Sequence, residues 1–153
     1  MSGSKAWSNN VMRIAPIAVA ALALVGASMV APASASAKKA RKFSVEFTSV
    51  ANSCKDTGMS LNKSTVEITP GTKRKITVSV PMVPIMKGTT KRGGKFVARA
   101  KRGKTGIAGL DGKFSISGTI ADDGGIELVF IAEYYKGKTP LCTQSWKGTG
   151  SKS

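Results

Sequence analysis

The sequence contains no histidine and only two cysteines among its 153 residues. The lack of histidine excludes Ser-His and Cys-His activation of a nucleophile, and it removes the commonest zinc ligand. Cys142, in the segment PLCTQSW, could otherwise suggest a nucleophile. Because no histidine can activate it and Cys54 is available as a partner, we interpret Cys142 as structural. The sequence predicts no catalytic residue, no metal site and no cofactor.

Acidic residues are also scarce, at eight against 24 lysines and arginines. Carboxylate catalysis needs two acids close together with different pKa values. Glu127 and Glu133 are six positions apart on one predicted strand, about 20 Å along it, which is too far for such a pair. Residues 122–125 (DDGG) fit a hairpin turn better than a calcium loop. We therefore expect a protein that is not an enzyme.

A secreted enzyme that uses carboxylates is the less favoured alternative. It would require two acidic side chains in one pocket, drawn from Asp111, Asp122, Glu127 and Glu133.

The long apolar run of the chain, residues 14–31, lies near its N-terminus. Lys5 and Arg13 precede this run, and residues 35–37 (ASA) form a small-x-small motif, as in a secretory signal peptide. A retained membrane helix is the alternative, because the run just reaches a membrane-spanning length. We predict a cleaved signal peptide at 1–37 and a secreted or periplasmic protein. Cleavage would remove two positive charges from a net charge of +16, which leaves a strongly basic domain.

Cys54 and Cys142 are 88 positions apart in what we expect to be an exported domain. An even number of cysteines in an oxidising compartment predicts one disulfide. Closing so long a loop stabilises a fold by about 4–5 kcal/mol in the loop-entropy model. Trp146 lies four residues after Cys142 on the same strand face, so we expect it to pack beside the disulfide. Stacking of Trp146 on a sugar ring is the alternative interpretation.

After residue 37 apolar and polar residues alternate with a period of two, and turn residues interrupt the pattern. The alternation is clear at residues 43–47, 66–68, 76–80 and 96–100, and the turn TPGT between the second and third of these predicts a hairpin. No segment there shows the 3.6-residue period of an amphipathic helix. About seven to eight short strands at this spacing predict an all-β domain, an antiparallel sandwich or small barrel, over residues 38–150.

Three details refine this prediction. Gly118 interrupts an inward-facing row, which suggests a bulge or a close backbone approach. Residues 128–132 (LVFIA) are apolar on both faces, so we expect them to form the central and most buried strand. Residues 151–153 are expected to be a loose tail.

Charge is distributed unevenly along the chain. No acidic residue occurs between Glu67 and Asp111, whereas eleven basic residues do. Such a segment can lie along a polyanion. Phe96 is the one aromatic residue in its lysine-rich part, so base stacking is poorly supported and nucleic acid is not expected as a partner. We expect contact with anionic polysaccharide, lipopolysaccharide or a membrane surface through Lys87, Lys91, Arg92, Lys95, Arg99, Lys101, Arg102 and Lys104.

An apolar segment, residues 81–86 (PMVPIM), precedes the basic residues, and its two prolines exclude an ordinary helix or central strand. Met82, Val83, Ile85 and Met86 could form a buried lid over the end of the core. They could instead form an exposed apolar wedge suited to an anionic membrane surface. An exposed loop could also dock another protein, with this chain as a subunit. These interpretations stay open at the level of the sequence.

Overall fold

The computed structural model describes residues 38–153, so the predicted signal peptide at 1–37 lies outside the described residues. The described part forms eight strands and one short 3-10 turn, and it contains no helix that could span a membrane. The strands are β1 (Arg41–Asn52), β2 (Lys63–Pro70), β3 (Lys75–Ser79), β4 (Met86–Thr90), β5 (Lys95–Lys104), β6 (Asp111–Ile120), β7 (Gly125–Lys136) and β8 (Thr139–Lys152).

Each strand pairs antiparallel with the next one along the chain, and β8 pairs with β1 to close the ring. The prediction of an all-β antiparallel domain with seven to eight strands is confirmed. Of the two architectures that the sequence left open, the protein adopts the barrel. Closure pairs every strand on both sides, so the barrel presents no free strand edge.

The core is the inside of this barrel. The alternating rows predicted at residues 43–47, 66–68, 76–80 and 96–100 all place their apolar members inside, where they are buried. An eight-stranded barrel is just wide enough for side chains to fill it. The barrel therefore encloses a packed core and not a channel.

The interpretation of β7 as a central strand buried on both faces is wrong. Leu128 and Phe130 point inward and are buried, but Val129 lies on the outer wall with 41% of its surface exposed. A closed barrel has no central strand, because every strand turns one face to the core and the other outward. The apolar outer face of β7 is consequently a property of the wall and not a sign of burial.

The disulfide predicted between Cys54 and Cys142 is present, with the two Cα atoms 5.1 Å apart. It ties the β1–β2 loop, residues 53–62, to β8. Gln144 reinforces this connection, because its side-chain oxygen accepts a hydrogen bond from the Met59 N–H at 3.0 Å and its amide donates to the Met59 carbonyl at 3.2 Å. Such a buried amide with both ends satisfied holds the loop in one position.

Trp146 is buried and packs on Phe130, with ring centroids 5.6 Å apart. It is therefore a core residue, and its ring is not available for stacking on a sugar.

The C-terminal residues 151–153, predicted to be a loose tail, are largely part of a strand. β8 continues through Ser151 and Lys152, which pair with Ser44 and Phe43 of β1. Residues 151 and 152 are thus part of the barrel wall and not loose.

The two ends of the barrel differ in their connections. At one end, here called the long-loop end, lie residues 53–62, 80–85, 105–110 and 137–138. At the other, here called the short-turn end, lie three four-residue turns, residues 71–74, 91–94 and 121–124, together with the start of β1 and the end of β8. This division determines where each predicted site residue is found.

Candidate anion-binding surfaces

The eight basic residues predicted from the sequence are all exposed, but they do not form one patch. Residues 91, 92 and 95 lie at the short-turn end, residues 101, 102 and 104 lie at the long-loop end, and residues 87 and 99 lie on the outer wall between them. β5 alone carries five of the eight along its ten residues, a length of roughly 30 Å. The linear block is therefore split between the two ends.

Lys87 and Arg99 are direct cross-strand partners in the β4–β5 ladder. Like charges directly opposite each other destabilise a sheet. No carboxylate within residues 38–153 forms an ion pair with either of them. This pair gives the outer wall a concentrated positive charge close to residues 81–86.

Arg102 has structural contacts that the other seven lack. Its guanidinium lies 3.2 Å from the Asp111 carboxylate and 4.3 Å from the centroid of the Tyr135 ring. Of the eight residues, Arg102 is the one that forms an ion pair in the described part of the chain. Its charge is accordingly partly neutralised within the barrel wall.

Residues 81–86 divide into exposed and buried members. Met82 and Ile85 are 86% and 62% exposed, whereas Val83 packs partly against the core. Met86 begins β4, points inward and is fully buried, so it cannot contact a partner from the surface. Neither sequence interpretation covers the whole segment, because Met86 belongs to the core while Met82 and Ile85 form an exposed apolar tip.

The backbone conformation at Met82 is unusual for a residue other than glycine. The Val83 N–H donates to the Val80 carbonyl at 3.1 Å, which closes a four-residue turn with Pro81 second and Met82 third. Met82 has φ of 66°, as the third position of a type II turn requires, and that position favours glycine. The chain thus carries a large apolar side chain, almost fully exposed, on a backbone conformation that disfavours it.

Other exposed apolar side chains lie at or near the same end. Val50 precedes the end of β1 by two residues, Ile107 lies in the β5–β6 loop, and Leu141 lies near the start of β8. Within residues 38–153, five of the six exposed large apolar side chains are found here, and Val129 on the outer wall is the sixth. Exposed apolar side chains that share one end of a basic barrel favour an interaction surface there.

Bulges in the strands account for part of this clustering. Val50 and Leu141 are each an extra residue at a register shift, of β1 against β8 and of β8 against β7. Lys101 and Arg102 occupy a third shift, in β5 against β6. A bulge re-aims the side chains around it, and the period-two pattern of the sequence gave no signal of these positions.

Cations accompany the apolar tips. The exposed basic residues of the long-loop end are Lys55, Lys63, Lys101, Arg102, Lys104, Lys136 and Lys138, of which Lys63 is paired with Glu46. Asp56, Asp111 and Glu133 are the acidic residues nearest to them in the chain. Asp111 is paired with Arg102 and Glu133 with Lys113. This end therefore combines exposed apolar tips with an excess of positive charge.

A second basic feature lies at the short-turn end, where a cavity of about 640 Å³ opens. Its lining includes five cations from three segments of the chain, namely Lys38, Arg41, Arg74, Lys75 and Lys152. None of these was predicted as a site residue. The pairing of β1 with β2 places the start of β1 beside the β2–β3 turn, and closure of the barrel adds the end of β8, which no local sequence pattern reveals.

The carboxylates form no comparable cluster. Asp111 and Glu133 are each paired with a cation, Arg102 and Lys113 respectively. Within residues 38–153 no three acidic or cysteine side chains come together as a metal site would require. The Asp-Gly stretch at 122–125 forms a hairpin turn, in which the Gly125 N–H donates to the Asp123 carboxylate at 2.8 Å.

Comparison of the chain with protein-family models, curated proteins and solved structures finds no match.

Proposed function

We propose that this protein is an exported, non-catalytic binding protein that attaches to anionic membrane surfaces through the long-loop end of its barrel. The observation that carries the proposal is the presence of exposed apolar side chains at that end. Met82 is the most exposed of them, and Val50 and Ile85 follow. Signal-peptide cleavage and export belong to the same proposal, and the disulfide is compatible with an oxidising compartment.

A lipid surface can accommodate both the apolar and the basic side chains of the long-loop end. Apolar side chains can insert at the boundary between headgroups and acyl chains, while lysines and arginines remain among the headgroups. Each basic residue close to an anionic membrane contributes about 1 kcal/mol. A polysaccharide would satisfy the cations alone, since it offers no apolar layer for Met82 and Ile85.

Met82 supports the proposal most directly. A residue held in the left-handed region costs of order 1–3 kcal/mol and is retained where function requires it. Glycine at this position would adopt the required positive φ without strain. The exposed methionine therefore has a cost in the free molecule that binding to an apolar layer would offset.

The test is sedimentation of the disulfide-intact protein with vesicles of zwitterionic lipid, with and without an anionic lipid. We expect binding to the anionic vesicles alone, and we expect it to weaken with added salt. The substitutions Met82→Gly and Ile85→Ser should each lower the partition coefficient about tenfold, because each removes apolar area that the lipid would bury.

Two matched variants serve as controls. Val129→Ser removes an exposed apolar side chain of the outer wall, and Lys147→Gln removes an exposed cation of β8. Both should retain the partition coefficient of the unmodified protein. Retention on heparin without vesicle binding would replace the proposal with polysaccharide binding, and vesicle binding that is equally sensitive to Val129→Ser would refute the role of the long-loop end. Concentration-dependent self-association abolished by Ile85→Ser, without vesicle binding, would point to protein docking instead.

A further inference from the structure

The cavity of the short-turn end lies at the opposite end of the barrel from the exposed apolar side chains. We propose that the cavity at the short-turn end binds a small phosphate-bearing compound with a compact apolar group. This inference does not depend on membrane attachment, because it uses none of the residues of the long-loop end.

The charge of the cavity is the first support. Its five cations face a single acidic residue, Asp122. Within residues 38–153 none of the five takes part in an ion pair with a carboxylate of the protein. Arginine and lysine side chains that converge on one recess without carboxylate partners favour a multiply charged anion, and phosphate accepts hydrogen bonds from several of them at once.

The floor of the cavity is apolar. Phe43, Ile68 and Ile76 are the inward residues of β1, β2 and β3 nearest to this end, and half-buried Ile120 of β6 joins them. Below this layer the barrel is filled by buried side chains. The apolar group of a ligand can therefore rest on the floor, but it cannot pass through the barrel and must be short.

The rim of the cavity is held in place by the backbone of the β2–β3 turn, and two residues of this turn have a strained conformation. Lys73 and Arg74 have φ of 50° and 62°, an unusual conformation for two successive residues other than glycine. The Thr90 N–H donates to the Arg74 carbonyl at 2.9 Å, which anchors the β2–β3 turn to β4. This backbone holds Arg74 and Lys75 at the cavity, and strain of this kind concentrates at ligand sites.

Another turn closes against the same rim. Gly94 lies in the left-handed region with φ of 71°, and a side chain there would collide with the Ile120 carbonyl oxygen. The β4–β5 turn can thus pack directly on the end of β6. The resulting volume of about 640 Å³ lies within the range of roughly 300–1,000 Å³ typical of small-molecule pockets, and the mouths of β-barrels are a preferred place for them.

The experiment is calorimetric titration of the disulfide-intact protein with phenyl phosphate, inorganic phosphate and phenol. We expect phenyl phosphate to bind more tightly than either of its parts, because it alone satisfies both the rim and the floor. Arg74→Gln and Lys75→Gln should each weaken its binding about tenfold. Asp122→Asn should strengthen it, because the substitution removes the one negative charge of the rim.

Lys147→Gln is the matched control, since it removes an exposed lysine of the wall outside this cavity. Loss of binding with Arg74→Gln but not with Lys147→Gln supports the site. Equal affinity for phenyl phosphate and inorganic phosphate would show binding of an adventitious ion only, and absence of phenyl phosphate binding would overturn the proposal. Met82→Gly should leave the titration unchanged, so failure of this proposal is distinguishable from failure of membrane attachment.

Discussion

At the scale of single residues, Tyr134 shows how the barrel tolerates one unsatisfied polar group. Its ring is buried in the core, edge-on to Phe114 with centroids 6.2 Å apart. Its hydroxyl is buried and makes no well-formed hydrogen bond, although the Met59 backbone lies close to it. Gln144 already uses the N–H and carbonyl of the neighbouring Met59 backbone. An unpaired buried hydroxyl is a cost to the folded state, which the packing of the ring outweighs.

Removing this hydroxyl should stabilise the protein. We expect Tyr134→Phe to raise the free energy of unfolding by about 1 kcal/mol, because the ring contacts remain and the unpaired group is gone. Urea denaturation at neutral pH measures the change. A decrease in stability would contradict the assignment of the hydroxyl as unpaired.

The unmodified protein and Tyr134→Phe should also differ in how their stability changes in alkaline solution. Burial raises the pKa of the Tyr134 phenol above its ordinary value, and this effect outweighs the opposite effect of the Met59 backbone. The folded state therefore holds this proton more tightly than the unfolded chain, and its contribution to stability is lost as the pH rises above about 10. The unmodified protein should lose more stability than Tyr134→Phe between about pH 9 and about pH 11, and the comparison cancels the titration of the lysines.

At the scale of strands, Gly118 of β6 resolves an ambiguity of the sequence. The register between β6 and β7 continues through it without a shift, so it is not a bulge. A side chain there would collide with the Glu127 carbonyl oxygen and lie 2.8 Å from the Leu128 Cβ atom. The glycine therefore permits a close approach of two strands, which was one of the two predicted explanations.

Gly118→Ala should consequently destabilise the barrel. Forcing a methyl group against the backbone of β7 costs about 1–3 kcal/mol, which thermal or urea denaturation would detect. Gly106→Ala is the matched control, because nothing lies within 4 Å of a Cβ atom built there. Equal stability of the two variants would mean that β7 can move away from β6 without loss.

At the scale of the whole molecule, the sequence predicts the features that depend on neighbouring residues and misses those that depend on residues far apart in the chain. Alternation and turn residues are local signals, and they predicted the strands and inward rows of residues 43–47 and 76–80 correctly. The choice of a barrel over a sandwich depends on the pairing of β8 with β1, which joins residues about a hundred positions apart. The bulge at Val50 and the meeting of Lys152 with Arg41 at the cavity depend on that closure, so the sequence could not reveal them.

The disulfide acts at this scale too, because it spans most of the barrel. Reduction, or the substitution of Cys54 and Cys142 by serine, should lower the free energy of unfolding by about 4–5 kcal/mol in the loop-entropy model. Urea denaturation of the oxidised and reduced forms measures the difference, and the dependence on urea should steepen because the reduced unfolded chain exposes more surface. An unchanged midpoint would mean that Gln144 and the core fix the β1–β2 loop without the covalent bond.

The pairing of Phe43 with Lys152 has a consequence for how the chain can be cut and rejoined. The strands follow one another around the ring in chain order, so the ring has no topological first member. The start of β1 and the end of β8 lie side by side at the short-turn end. A short linker could therefore join them and a new pair of ends could be opened in the exposed loop at 105–110, giving a circular permutant with the same set of neighbouring strands.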